Sequence, residues 1–138
     1  MSNRFTKGNG LFGALRANGP LRANTLFVKK AANTVTDGGS MVISAAQAVT
    51  DGIVSATPTA ARNIQAPTAA AIVALLPAYK VGDTFEVTII NLAASTYALT
   101  LTVNTGTTIV GSATISAASS GTFMVRVASS TAVVFYRK

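Results

Sequence analysis

From about residue 33 to the C-terminus the chain reads as short apolar runs separated by turn residues. The clearest run is Asp83–Asn91, where Phe85, Val87 and Ile89 alternate with Thr84, Glu86 and Thr88. A period of two puts the first set on one face of a half-buried strand and the second on the other. Tyr97–Val103 repeats the device, with Leu99, Leu101 and Val103 opposite Ala98, Thr100 and Thr102. In Gly121–Ala128 the shared face holds Phe123, Val125 and Val127. Shorter runs cover Met41–Ala45 and Ile53–Ala56, each after a Thr-Asp-Gly turn signal, then Ala60–Gln65, Thr107–Val110, Ser112–Ser116 and Thr131–Arg137. One segment breaks the pattern. Thr68 precedes the unbroken run Ala69–Leu76 and Pro77 stops it, which predicts one short helix near 68–76 with the Thr68 hydroxyl as its cap. Eight or nine short strands at this spacing predict an all-β body over 33–138, an antiparallel β-sandwich or jelly roll.

Residues 1–32 follow another rule. Gly8-Asn9-Gly10, Gly13 and Asn18-Gly19-Pro20 interrupt any long helix or strand, and Leu15-Arg16-Ala17-Asn18 recurs as Leu21-Arg22-Ala23-Asn24. Residues 1–30 carry Arg4, Lys7, Arg16, Arg22, Lys29 and Lys30 without an acid, while the remaining five bases face four acids. A purely solvated tail has little use for the apolar residues interleaved with these bases. An extended basic arm on a nearly neutral body is expected, ordered against an acidic partner surface. Its candidate contact residues are Arg4, Phe5, Lys7, Leu11, Phe12, Leu15, Arg16, Leu21 and Arg22.

Composition narrows the chemistry. The 138 residues include no Cys, His or Trp, and the acids are Asp37, Asp51, Asp83 and Glu86 alone. Thiolate nucleophiles, disulfides, imidazole ligands and a neutral-pH acid–base are therefore excluded. On a strand, Asp83 and Glu86 point to opposite faces; Asp37 and Asp51 sit in turns, where Asp bonds its own backbone. Gly8-Asn9-Gly10 lacks the preceding strand and the following Gly-Lys of a phosphate loop. No catalytic residue, metal site or cofactor is expected, and the protein is read as a non-enzyme. The longest apolar stretch, Ala69–Ala78, is about half of the ~20 residues a membrane helix needs, and no signal peptide is read at the N-terminus. Nucleic acid is disfavoured, because the arm's charge is dilute and the body adds almost none. Only 11% of residues are charged, which points to a surface that meets other copies or a partner.

The runs Ile64-Gln65-Ala66-Pro67-Thr68 and Val81-Gly82-Asp83-Thr84-Phe85 leading into Glu86–Asn91, with Gly111–Ile115, Ser120–Phe123 and Val133–Arg137, resemble tailed-bacteriophage virion proteins. The likeness covers residues 57–138 and is to the small β-domain of capsid decoration (cement) proteins and related head-fibre modules. It implies a homotrimer on the outer capsid face, in contact with the phage major capsid protein and stabilising the shell. The alternative it leaves is a head-fibre or spike module that binds a host surface receptor. A DNA-packaging accessory using the arm is a third class. The arm lies outside the resemblance.

Overall fold

A computed structural model describes residues 28–138. The body is predominantly β, in two sheets. Strands β1 (Ala31–Thr34), β3 (Gly52–Ala56), β5 (Thr84–Asn91), β9 (Ser119–Ser129), β10 (Ala132–Arg137) and β7 (Thr107–Val110) form a six-stranded sheet in that order. The second sheet has four strands, β2 (Met41–Val42), β4 (Arg62–Gln65), β6 (Leu99–Thr102) and β8 (Thr114–Ile115). A short π-helical turn, Gln47–Asp51, precedes β3. The helix α1, Ala69–Ala74, forms where expected, with the Thr68 Oγ1 accepting from the Ala71 N–H at 3.3 Å.

The strands appear close to their expected positions, but their direction corrects the antiparallel expectation. From β1 to β6 the chain alternates between the sheets, so β1–β3, β3–β5, β2–β4 and β4–β6 are all parallel, as is β7–β10. Antiparallel pairing is confined to β5–β9, β9–β10 and β6–β8. A parallel pair cannot be closed by a hairpin and needs a crossover. Here each crossover runs through a strand of the opposite sheet, joined by the π-helical turn between β1 and β3 and by α1 between β3 and β5, which makes the first half a coil of mixed-sheet turns. Parallel strands usually lie between helices and read as continuous apolar runs. These strands leave one face open, so they alternate as antiparallel strands do, and alternation by itself carries no direction. Among the described residues the first strand, β1, starts at Ala31.

The core lies between the sheets. Val54, Val87, Ile89, Phe123, Val125 and Phe135 from one side meet Met41, Ile64, Leu99, Leu101 and Ile115 from the other, all buried. Full burial of such side chains contributes roughly 1.5–3 kcal/mol each. Phe123 and Phe135 pack edge to face with centroids 6.4 Å apart. The Arg137 guanidinium lies over the Phe123 ring at 5.1 Å, in space left free by Gly121. Val103, expected to face inward with Leu101, is 52% exposed because β6 ends at Thr102. At the bend into β7, Gly106 has φ +75° and a Cβ there would lie 2.1 Å from the Thr131 carbonyl. Only glycine fits this point, where the bend touches the β9–β10 hairpin.

Candidate functional site

The nine candidate contact residues of the arm, Arg4, Phe5, Lys7, Leu11, Phe12, Leu15, Arg16, Leu21 and Arg22, lie outside the described residues. What is described is the point from which that segment departs. Lys30 extends its side chain past the start of β3 and donates from Nζ to the Glu86 carbonyl on β5 at 3.0 Å. Gly52 makes this route possible: a Cβ there would sit 2.6 Å from the ammonium. The Glu86 carboxylate is held in turn by Lys138, Nζ to Oε1, so both ends of the described chain are tied to one residue of β5. That hydrogen bond, the Lys138 charge and then Lys30 hold the Glu86 carboxyl below its ordinary range.

Glu86 stands on the outward face of the six-stranded sheet. Register places four rows across it: Ala32, Ile53, Thr88 and Thr122; Thr34, Ser55, Ile90 and Ser120; Glu86, Met124, Tyr136 and Val110; Thr84, Arg126, Val134 and Thr108. Ile53, Ile90, Met124, Val134 and Tyr136 are half-buried by their neighbours on the sheet and open to solvent above. Hydroxyls pair within the face, Thr88 with Thr122 at 3.0 Å and Thr34 with Ser55 at 3.2 Å. Glu86 is the only acid among these sixteen positions and Arg126 the only base. The outward face of the four-stranded sheet is different, with Val42, Asn63, Gln65, Thr100, Thr102 and Thr114 and no charge.

The four carboxylates go to four separate structural tasks. Asp37 does not serve its own turn, as its Thr-Asp-Gly context suggested. It accepts from the Thr59 Oγ1 and N–H and from the Arg62 Nε, clasping the approach to β4. The Thr59 and Arg62 hydrogen bonds lower its pKa to about 2. Asp51 accepts from the Asn33 amide, and Asp83 from the Lys80 N–H in the turn before β5. Among the described residues no group of three or more metal-binding side chains assembles, and no helix is long and apolar enough to cross a membrane.

Asn91 was missed by sequence reasoning. It is the inward-phase residue after Phe85, Val87 and Ile89 and is 1% exposed. Its amide donates to the Tyr97 and Ile115 carbonyls, and its Oδ1 accepts from the Ala93 N–H. The signal was an amide in the apolar phase of a strand, where a polar group persists only if it is hydrogen-bonded.

Comparison with protein families, with curated proteins and with solved structures returns no match.

Proposed function

We propose that this chain is a structural virion protein that decorates and cements the outer surface of a phage capsid, attaching to the major capsid protein and working as a homotrimer. The observation that carries this reading is the contrast between a basic, apolar-studded segment, residues 1–30, and a body whose sheet faces carry almost no charge. Where that segment meets the body, Lys30 donates across Gly52 to the Glu86 carbonyl. The weakly charged sheet faces support the same reading, because few charges need be desolvated when they pack against protein. The arm supplies affinity mainly through Phe5, Leu11, Phe12, Leu15 and Leu21, since a buried side chain of this kind gives about 1.5–3 kcal/mol and an exposed ion pair about 0–1. Arg4, Lys7, Arg16 and Arg22 set the register against acidic groups.

The test measures binding to undecorated capsids by full-length protein and by protein lacking residues 1–27. The truncated chain is expected to bind at least about ten-fold more weakly, and salt is expected to weaken the full-length protein modestly. Equal binding by the two would overturn the tether. Tight binding of the full chain to DNA with a steep salt slope would replace capsid attachment by nucleic-acid packaging.

A further inference from the structure

The residues before β1, the loop from α1 to β5 and the turn from β6 to β7 lie at one end of the body, the end at which β5 begins. Val28 shares a cleft there with Thr84 and Phe85. The Ala69 N–H at the start of α1 donates to the Thr105 carbonyl of the β6–β7 turn at 3.0 Å, and beyond α1 the Gly82 N–H donates to the Val127 carbonyl at 2.9 Å. Four large apolar side chains are exposed at this end: Val28, Leu75, Val81 and Val103.

Single exposed apolar residues are ordinary on a protein surface. Val81 and Val103 differ in being held outward on fixed turns. The Asp83 carboxylate accepts from the Lys80 N–H at 2.8 Å, and the Asp83 N–H donates to the Lys80 carbonyl at 3.0 Å, which closes the loop around Val81. After Val103, the Asn104 amide donates to the Ala66 carbonyl at 3.0 Å and the Asn104 N–H to the Thr107 Oγ1 at 2.6 Å. Side chains presented in this way lose little freedom when a partner covers them.

Charge and chain length say which partner. Lys29 and Lys80 are exposed here, while the nearest acids are bonded within the body, Asp51 to Asn33 and Asp83 to its own loop. The end therefore repeats the chemistry of residues 1–27, apolar side chains interspersed with bases. β1 runs away from this end, so the preceding chain enters the body here. Leu21 and Arg22 stand seven and six residues before Val28, at most about 25 Å away along a fully extended backbone. The opposite end, where Leu92 and Tyr97 are exposed, lies beyond the whole length of β5, about 26 Å further on. A partner gripped by Leu21 and Arg22 is thus brought against the near end.

We infer that this end of the body is a second contact surface for the partner of the arm, an apolar protein surface bearing acidic groups, which seats on Val28, Leu75, Val81 and Val103 with Lys80 toward the acids. On the decoration reading, on which this rests, it is the end that faces the major capsid protein. Six strands and two sheets give the end an area of roughly 500 Å², below the ~800 Å² per partner of a stable interface. Arm and end are therefore both needed for tight attachment, and the sheet faces stay free for contacts between copies.

Binding of the full-length protein to undecorated capsids tests this. Val81→Glu and Val103→Glu, on separate turns, are each expected to weaken binding at least about ten-fold, because each removes an apolar contact and sets a carboxylate against acidic groups. Val81→Lys is expected to weaken it less than Val81→Glu. Leu92→Glu, at the opposite end, is expected to bind as wild type does. Circular dichroism matching wild type establishes that each variant is folded. Folded Val81→Glu and Val103→Glu proteins that bind like wild type would overturn the inference and leave attachment to the arm alone, which the truncation measures separately. A Leu92→Glu protein as weak as these two would overturn it as well. With capsid binding unchanged, conversion of an associated wild type to monomer by the two variants would make the occupant a second copy, and a lowered unfolding temperature would make it the chain's own arm; either result sinks the capsid contact. A wild type that does not bind capsids would sink the decoration reading and this surface with it.

Discussion

The parallel coil of β1 to β4 and the antiparallel ladder of β5, β9 and β10 hold themselves together in different ways. The ladder is long, with eight residues of β5 paired to β9 and six of β10, and it buries Phe123, Val125, Val127, Val133 and Phe135. The coil pairs only four residues of β1 with β3 and two of β2 with β4. What it lacks in main-chain bonds it replaces with side-chain ties: Lys30 to Glu86, Asn33 to Asp51, and Asp37 to Thr59 and Arg62. The lesson is that a short parallel strand is held by polar contacts from its flanks, which depend on pH and salt. A long antiparallel strand is held by its own backbone and the core beneath it.

The largest effect expected from this contrast is in hydrogen exchange. Amides of Val125 and Val127 should exchange only through global unfolding, and those of Ala32 and Asn33 on the edge strand through local opening, at least about a hundred-fold faster. Equal protection in the two regions would break the comparison. Asn91 sits where the ladder meets the four-stranded sheet. Asn91→Ala removes three hydrogen bonds and strands the buried Ile115 carbonyl and Ala93 N–H, so a loss of about 2–3 kcal/mol is expected in urea unfolding. A loss below about 1 kcal/mol would show that the joint is held by packing instead.

The smallest effect concerns acid. The Asp37 pKa lies at about 2 in the folded chain against an ordinary value of 3.8. A group depressed in this way stabilises the fold above its unfolded pKa, and that contribution fades as pH falls from about 4 toward 2. Asp37→Asn should therefore be less stable than wild type at neutral pH and less sensitive across that window, as read from urea midpoints at several pH values. An unchanged acid limb would show that Asp37 does not couple the coil to protonation.

Much of the body was legible in the residues themselves. Alternation in 84–90, 99–102 and 121–128 fixed which side chains point inward, because a period of two has only two faces and one of them is apolar. Thr68 and Pro77 marked the helix, because capping and the missing proline N–H act within a single turn. The absence of Cys and His, and the separation of the four acids, removed classes of chemistry before any fold was known. Strand direction was decided elsewhere. Whether Ile53 pairs with a strand running its own way or against it depends on where the intervening residues travel, and β4 with α1 carry the chain through the opposite sheet before it returns at Thr88. The tasks of individual polar residues were equally invisible. Asp37 meets Arg62 across 25 residues, Lys30 meets Glu86 across 56, and Asn91 meets the Ile115 carbonyl across 24. Local preferences determine strands, turns and caps because their interactions lie within a few residues. Sheet order, strand direction and the long ties belong to the tertiary structure, since only closure of the core decides which distant segments become neighbours.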